Sequence, residues 1–176
     1  MIFLKPIYIV ILVGLAYLYI GNINKKEIVI PDNSMRFRIV ANSDSKYDQN
    51  IKLKVKSNLE NSLGQILQDT ESVSETEQIL ENNIEYLNNV VEETLVKEKY
   101  IKGFKVELGY NYFPEKEYYC VKYREGNYKS LVVTLGDGAG KNWWCVLFPP
   151  LCLIEAEEQT EYEYQFFVKE MIKKYF

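Results

Sequence analysis

The stretch Ser74–Tyr112, SETEQILENNIEYLNNVVEETLVKEKYIKGFKVELGYNY, changes its hydrophobic period once, and that change decides the fold. Ser74-Glu75-Thr76-Glu77 opens it as a capping box, in which the serine oxygen accepts from the N3 amide while Glu77 reaches back to the cap. Leu80, Ile84, Leu87, Val91 and Leu95 then recur at spacings of three and four, one apolar stripe of a helix. Gly103 interrupts the stripe. Beyond it Phe104, Val106, Leu108, Tyr110 and Tyr112 alternate with mostly polar neighbours, the period of a half-buried strand. A helix that runs directly into a strand needs a core that both can share.

The same two periods extend outward. Upstream, Met35–Ala41 reads as a strand with Phe37, Ile39 and Ala41 on one face. Asn42-Ser43-Asp44-Ser45 supplies a turn and several helix N-caps. Ile51, Val55, Leu59, Leu63 and Ile66 form the next helical stripe, with Lys52, Lys54 and Lys56 off it. Downstream, Pro114 ends the alternating strand, Tyr118–Tyr123 reads as another, and Gly126-Asn127 turns the chain into Tyr128–Leu135. Trp143–Phe148 is a further strand closed by Pro149-Pro150, and a helix is expected from about Glu158 to Lys174. Strand, two helices, several strands and a last helix predict an α+β fold, with helices packed on a mostly antiparallel sheet.

This single domain is expected to span residues 35–176, behind a linker over 25–34 marked by Pro31-Asp32-Asn33-Ser34. Residues 1–24 read as a targeting element. The amino group and Lys5 precede an apolar run from Pro6 to Ile20, the layout of a secretory signal. A membrane span usually needs about 20 apolar residues. No A-x-A cleavage site follows, and Lys25 and Lys26 lie on the far side, so both a cleaved signal and a retained anchor touching the membrane stay open.

Composition narrows the chemistry. The 176 residues carry 21 basic and 25 acidic side chains, a net charge of −4, which does not favour nucleic acid as a partner. Between Ser57 and Val96 there is no Lys or Arg against nine acidic residues, read either as a solvated helical face or as a docking surface for a basic partner. There is no histidine, so the commonest general base near neutral pH is absent. Serine–histidine and cysteine–histidine nucleophile pairs and HExxH metal sites are thereby excluded. No catalytic residue, cofactor or metal site is predicted.

Three motifs invite closer reading. Gly136-Asp137-Gly138-Ala139-Gly140-Lys141 departs from a phosphate-binding loop: three residues rather than four separate the glycines, and Asn142 stands where Ser or Thr would hold magnesium. A tight turn accounts for the glycines better. Cys145 and Cys152 flank the Pro149-Pro150 corner and are candidates for a disulfide, with Cys120 left over; alternatively all three are small buried hydrophobes. Trp143 and Trp144, adjacent on a strand, point to opposite faces, so one can enter the core while the other faces solvent, a helix or a partner.

Gly136–Cys152, with its Asn142-Trp143-Trp144-Cys145-Val146-Leu147-Phe148-Pro149-Pro150 centre, resembles the signature of the stage II sporulation protein R family. Arg38-Ile39-Val40-Ala41-Asn42-Ser43-Asp44-Ser45, with Lys52-Leu53-Lys54-Val55-Lys56 after it, is similar to that family's N-terminal block, and Gly126–Leu131 to its middle block. The resemblance implies a sporulation protein exported from the forespore into the space between two membranes. There it would signal to a membrane-embedded aspartic protease of the mother cell, which removes the pro-sequence of sigma-E. It does not supply the contact surface. Asn142, Trp143, Trp144, Pro149 and Pro150 are the candidate partner-binding residues, whereas Asn42, Ser43 and Asp44 are accounted for as a strand-to-helix cap. Two other readings are an envelope hydrolase, with Asp44 and Asp137 as its acids, and a wall-glycan binding module stacking sugars on tryptophan.

Overall fold

The computed structural model describes residues 11–14, 27–119, 121–151 and 160–176. The expected signal segment lies outside the described residues except for a helical piece at 11–14. No described helix is long and apolar enough to cross a membrane.

Among the described residues, seven strands and four longer helices follow in the order β1 (Ile28–Val29), β2 (Met35–Val40), α1 (Lys46–Leu67), α2 (Val73–Asn82), α3 (Ile84–Lys97), β3 (Phe104–Phe113), β4 (Lys116–Tyr118), β5 (Val121–Tyr123), β6 (Gly126–Leu135), β7 (Asn142–Phe148) and α4 (Glu161–Tyr175). The α+β class stands as expected. The main sheet runs β3-β6-β2-β7, and a small sheet runs β1-β5-β4. Pairing is mixed: β3–β6, β2–β7 and β4–β5 are antiparallel, while β2–β6 and β1–β5 are parallel. β2 is parallel to β6 because the chain reverses twice between them: the helices lead from β2 into β3, which runs the opposite way, and the segment through β4 and β5 turns it back into β6.

The helical stripes and one face of the main sheet make the principal core. Val55 and Leu59 of α1, Leu80 of α2, Leu87 and Val91 of α3, and Phe37, Ile39, Leu131 and Val133 of the sheet are all fully buried in it. Each such side chain stabilises the fold by about 1.5–3 kcal/mol through removal from water. A second cluster joins Ile28, Ile30 and Val121 of the small sheet with Val146 of β7 and Tyr164 and Val168 of α4. The molecule therefore has helices α1–α3 on one side of the main sheet, and the small sheet with α4 against the β7 end of the other.

Three sequence expectations shift in detail. Within the stretch read as a linker, Ile28 and Ile30 are buried and β1 pairs with β5, because two apolar residues complete the small sheet's core. The single strand expected over Tyr118–Tyr123 is a hairpin, β4 and β5, with Tyr119 at positive φ between them. The second helix begins at Ser72 rather than Ser74: Ser72 Oγ accepts from the Glu75 amide at 3.1 Å, and Glu75 accepts from the Glu71 amide. It also divides at Asn83, where α2 gives way to α3. Thr160 and Glu163 form a complete capping box that starts α4.

Candidate functional site: a groove over the edge of the main sheet

β7 is the last strand of the main sheet among the described residues, and a groove of about 620 Å³ passes over it. Strand alternation places Trp143 and Trp144 on opposite faces. Trp143 turns to the helices, edge-on to Phe37 at 5.4 Å between ring centres, with Lys56 Nζ 5.3 Å over its ring. Trp144 turns to the other face, edge-on to Phe113 at 5.3 Å, and the Arg38 guanidinium stands 5.3 Å over it. Both indoles are half-buried and both line the groove, with Asn142 beside them. The strand thus divides the groove into a helix-side flank, formed by Leu53 and Lys56 of α1, and an outer flank, formed by Phe113, Tyr118 and Tyr123.

The other two candidate residues fall elsewhere. Pro149 is buried behind a cis peptide bond, and Pro150 lines a separate small hollow against Leu63 and Leu67 of α1. Cys145 is disulfide-bonded. Cys120 and Cys152 lie outside the described residues.

Arginines form the charged part of this region, and the sequence reading passed over their face of β2. Arg36 and Arg38 alternate with the core residues Phe37 and Ile39, so both project from the outer face of the sheet. Arg36 is only 3% exposed, with its guanidinium 4.3 Å from the ring centre of Tyr128 and 5.4 Å from that of Tyr123. Burial lowers its pKa, although an arginine stays charged. Its Nε and Nη2 are buried without a hydrogen-bond acceptor, as is Nε of Arg38. Stacking satisfies the faces of a guanidinium but not its in-plane N–H groups, and each buried unpaired donor costs roughly 1–3 kcal/mol. Arg38 donates from Nη1 to the Tyr112 carbonyl at 3.3 Å. Among the described residues neither arginine forms an ion pair. Beyond Arg36, the Tyr123 and Tyr164 hydroxyls share a 2.5 Å hydrogen bond, and burial pushes both phenols above their ordinary pKa.

The glycine segment has a different role. All six amides from Gly136 to Lys141 donate to protein acceptors: the carbonyls of Gly103, Leu135, Asn42 and Ala41, the Asn42 side chain, and Asp44 Oδ1. A phosphate would find no free amide there. A Cβ on Gly140 would lie 2.3 Å from the Ser43 carbonyl oxygen, so the loop sits directly on the turn after β2. Beneath that turn Asp48 is buried, accepting from Asn42 Nδ2 at 2.8 Å and Ser43 Oγ at 2.5 Å, with Lys102 Nζ at 3.4 Å. The donors from Ser43 and Asn42, aided by Lys102, hold its carboxyl down to about 2. Asp44 and Asp137 therefore belong to a structural junction that locks the start of α1 to the start of β7.

The fold and the groove define an α+β protein with an aromatic-lined groove along one edge of its main sheet. The chain belongs to the stage II sporulation protein R family, whose model matches residues 31–158. It is 35% identical over 145 residues to Stage II sporulation protein R of Bacillus subtilis (strain 168), which covers 82% of this chain and 65% of that relative. The family is one of sporulation proteins, and its name is not that of an enzyme family. No solved structure matches the chain.

Proposed function

We propose that the chain is an exported sporulation signal which binds a membrane-embedded aspartic protease of the mother cell and so triggers removal of the sigma-E pro-sequence. The family match over residues 31–158 supports the sporulation role. The observation that carries the binding role is the groove, with two half-buried tryptophans on either side of one strand. Tryptophan held half-open beside cationic side chains is the composition that anchors protein contacts. A hydrolase reading receives less support, because the carboxylate of Asp44, one of its two candidate acids, accepts from the Lys141 amide inside the junction.

The test is a reconstitution in a non-sporulating host that produces the chain, the protease and the sigma-factor precursor. The precursor is expected to be shortened only when the chain is present and exported. In the same system Trp144→Ala should lower processing severalfold while the chain still accumulates, since Trp144 packs on the outer face and not in the principal core. Absence of processing with all three proteins correctly placed would count against direct signalling.

A further inference from the structure

We infer that Arg36 is the charge-reading centre of the groove and that the groove's occupant is an extended, carboxylate-bearing segment of a protein partner. This rests on the proposal that the groove is the partner-binding surface, and it names the chemistry that surface reads. Arg36 lines the groove, is almost wholly buried, and holds two N–H groups with no acceptor. Tyr123 and Tyr128 already occupy the guanidinium's neighbourhood as π partners, so the unmet demand is for an in-plane acceptor, which a carboxylate supplies best.

The local charge has the matching sign. The chain is −4 overall, yet the groove is lined by four cations, Arg36, Lys56, Lys116 and Arg124, against Glu60 and Glu117. Lys56 pairs with Glu60 at 3.3 Å and Arg124 with Asp32 at 3.4 Å, which leaves Arg36 and the exposed Lys116 against Glu117. The remaining lining is largely aromatic, which suits apolar side chains placed between acidic ones. A volume of about 620 Å³ is far larger than a single inorganic anion fills and fits several side chains.

The probes are two acetylated, amidated hexapeptides, one alternating glutamate with phenylalanine and the other glutamine with phenylalanine. Each is titrated into the full chain in detergent micelles and followed by calorimetry and tryptophan fluorescence. The glutamate peptide is expected to bind about tenfold or more tightly than the glutamine peptide, as a charge-assisted contact requires. Arg36→Gln should abolish that preference. Lys116→Glu, an exposed change that leaves the core untouched, should reduce it severalfold even if the Arg36 variant does not fold.

Equal binding of the two peptides would overturn the inference, as would a preference that survives in folded Arg36→Gln. Displacement by inorganic phosphate at the same concentration as the peptide would overturn the peptide assignment in favour of a free anion. Tighter binding of a muropeptide than of the glutamate peptide would overturn it in favour of wall glycan. The reconstitution separates the two levels. Full processing by folded Arg36→Gln removes the inference and leaves the signalling role standing. No processing by the unaltered chain removes the signalling role, and the peptide titration still decides the chemistry of the groove.

Discussion

At the scale of single residues, burial and hydrogen bonding sort charged side chains that look alike in the sequence. Asp44, Asp48 and Asp137 are three aspartates near glycine-rich or capping turns, yet of the three only Asp48 is buried, where donors from Ser43, Asn42 and Lys102 set its pKa near 2. Its carboxyl is depressed in the folded state, so its stabilising contribution is present above the unfolded value near 4 and is lost as pH falls from there towards 2. Asp48→Asn should destabilise the protein by about 1–3 kcal/mol at neutral pH, since it removes a charged acceptor from buried donors. The variant should also show a flatter loss of stability between pH 4 and pH 2. Denaturant titrations at several pH values check both expectations.

The arginines mark what was hidden at this scale. The alternation of Phe37 and Ile39 established the core face of β2, and by the same period Arg36 and Arg38 had to share the other face. Two arginines at i and i+2 on a strand with both neighbours were the legible signal. Their stacking partners, Phe113, Tyr123, Tyr128 and Trp144, come from four separate strands or corners, and only the folded chain brings them together.

At the scale of elements, long periodic segments were readable and short ones were not. α1 and α3 carry their stripes over several turns, so Ile51–Leu63 and Leu87–Leu95 occupy the core as their spacing requires. β6 is buried on both faces around Leu131-Val132-Val133, which a run of branched side chains announces. By contrast β1, β4 and β5 have two or three residues each, too few for any period to show, and their pairing is decided by tertiary contacts. The start of α2 moved because Ser72 and Ser74 are both adequate caps with a glutamate three residues on, and packing chose between them.

The glycine loop was read correctly as a turn, and its reason is a neighbour distant in sequence. A methyl group at position 140 has nowhere to go, because the atoms it meets are backbone atoms of Ser43. Gly140→Ala should therefore lower stability by about 1–3 kcal/mol, the usual cost of overpacking. Gly103→Ala, where a Cβ meets nothing within 4 Å, should be close to neutral. Thermal unfolding of the two variants side by side checks the contrast.

At the scale of the whole molecule, the charge is divided between surfaces. Glu71, Glu75, Glu81, Glu85, Glu92 and Glu93 lie exposed on α2, α3 and the turn before them, while the groove over the β7 edge of the sheet gathers cations among aromatics. Five solvated acids on helices and one in the turn before them have an adequate account as a solvated face. Trp143 and Trp144 pack against Phe37 and Phe113, but the unpaired guanidinium donors of Arg36 have no such account, because they carry a cost that a partner would relieve. The sequence pointed to Asn142, Trp143 and Trp144 by their place in a family signature, and the fold places them side by side on the strand over which the groove passes.

The central claim is that a partner docks in this groove, and position 144 reports on it most directly. A photo-crosslinking amino acid placed there, in the reconstituted system with the protease and the sigma-factor precursor, should yield a covalent adduct with the protease. The same group at Glu81, on the acidic helical face, should yield none. An adduct from position 81 with none from position 144, in chains that still trigger processing, would contradict the groove and move the contact to the helices.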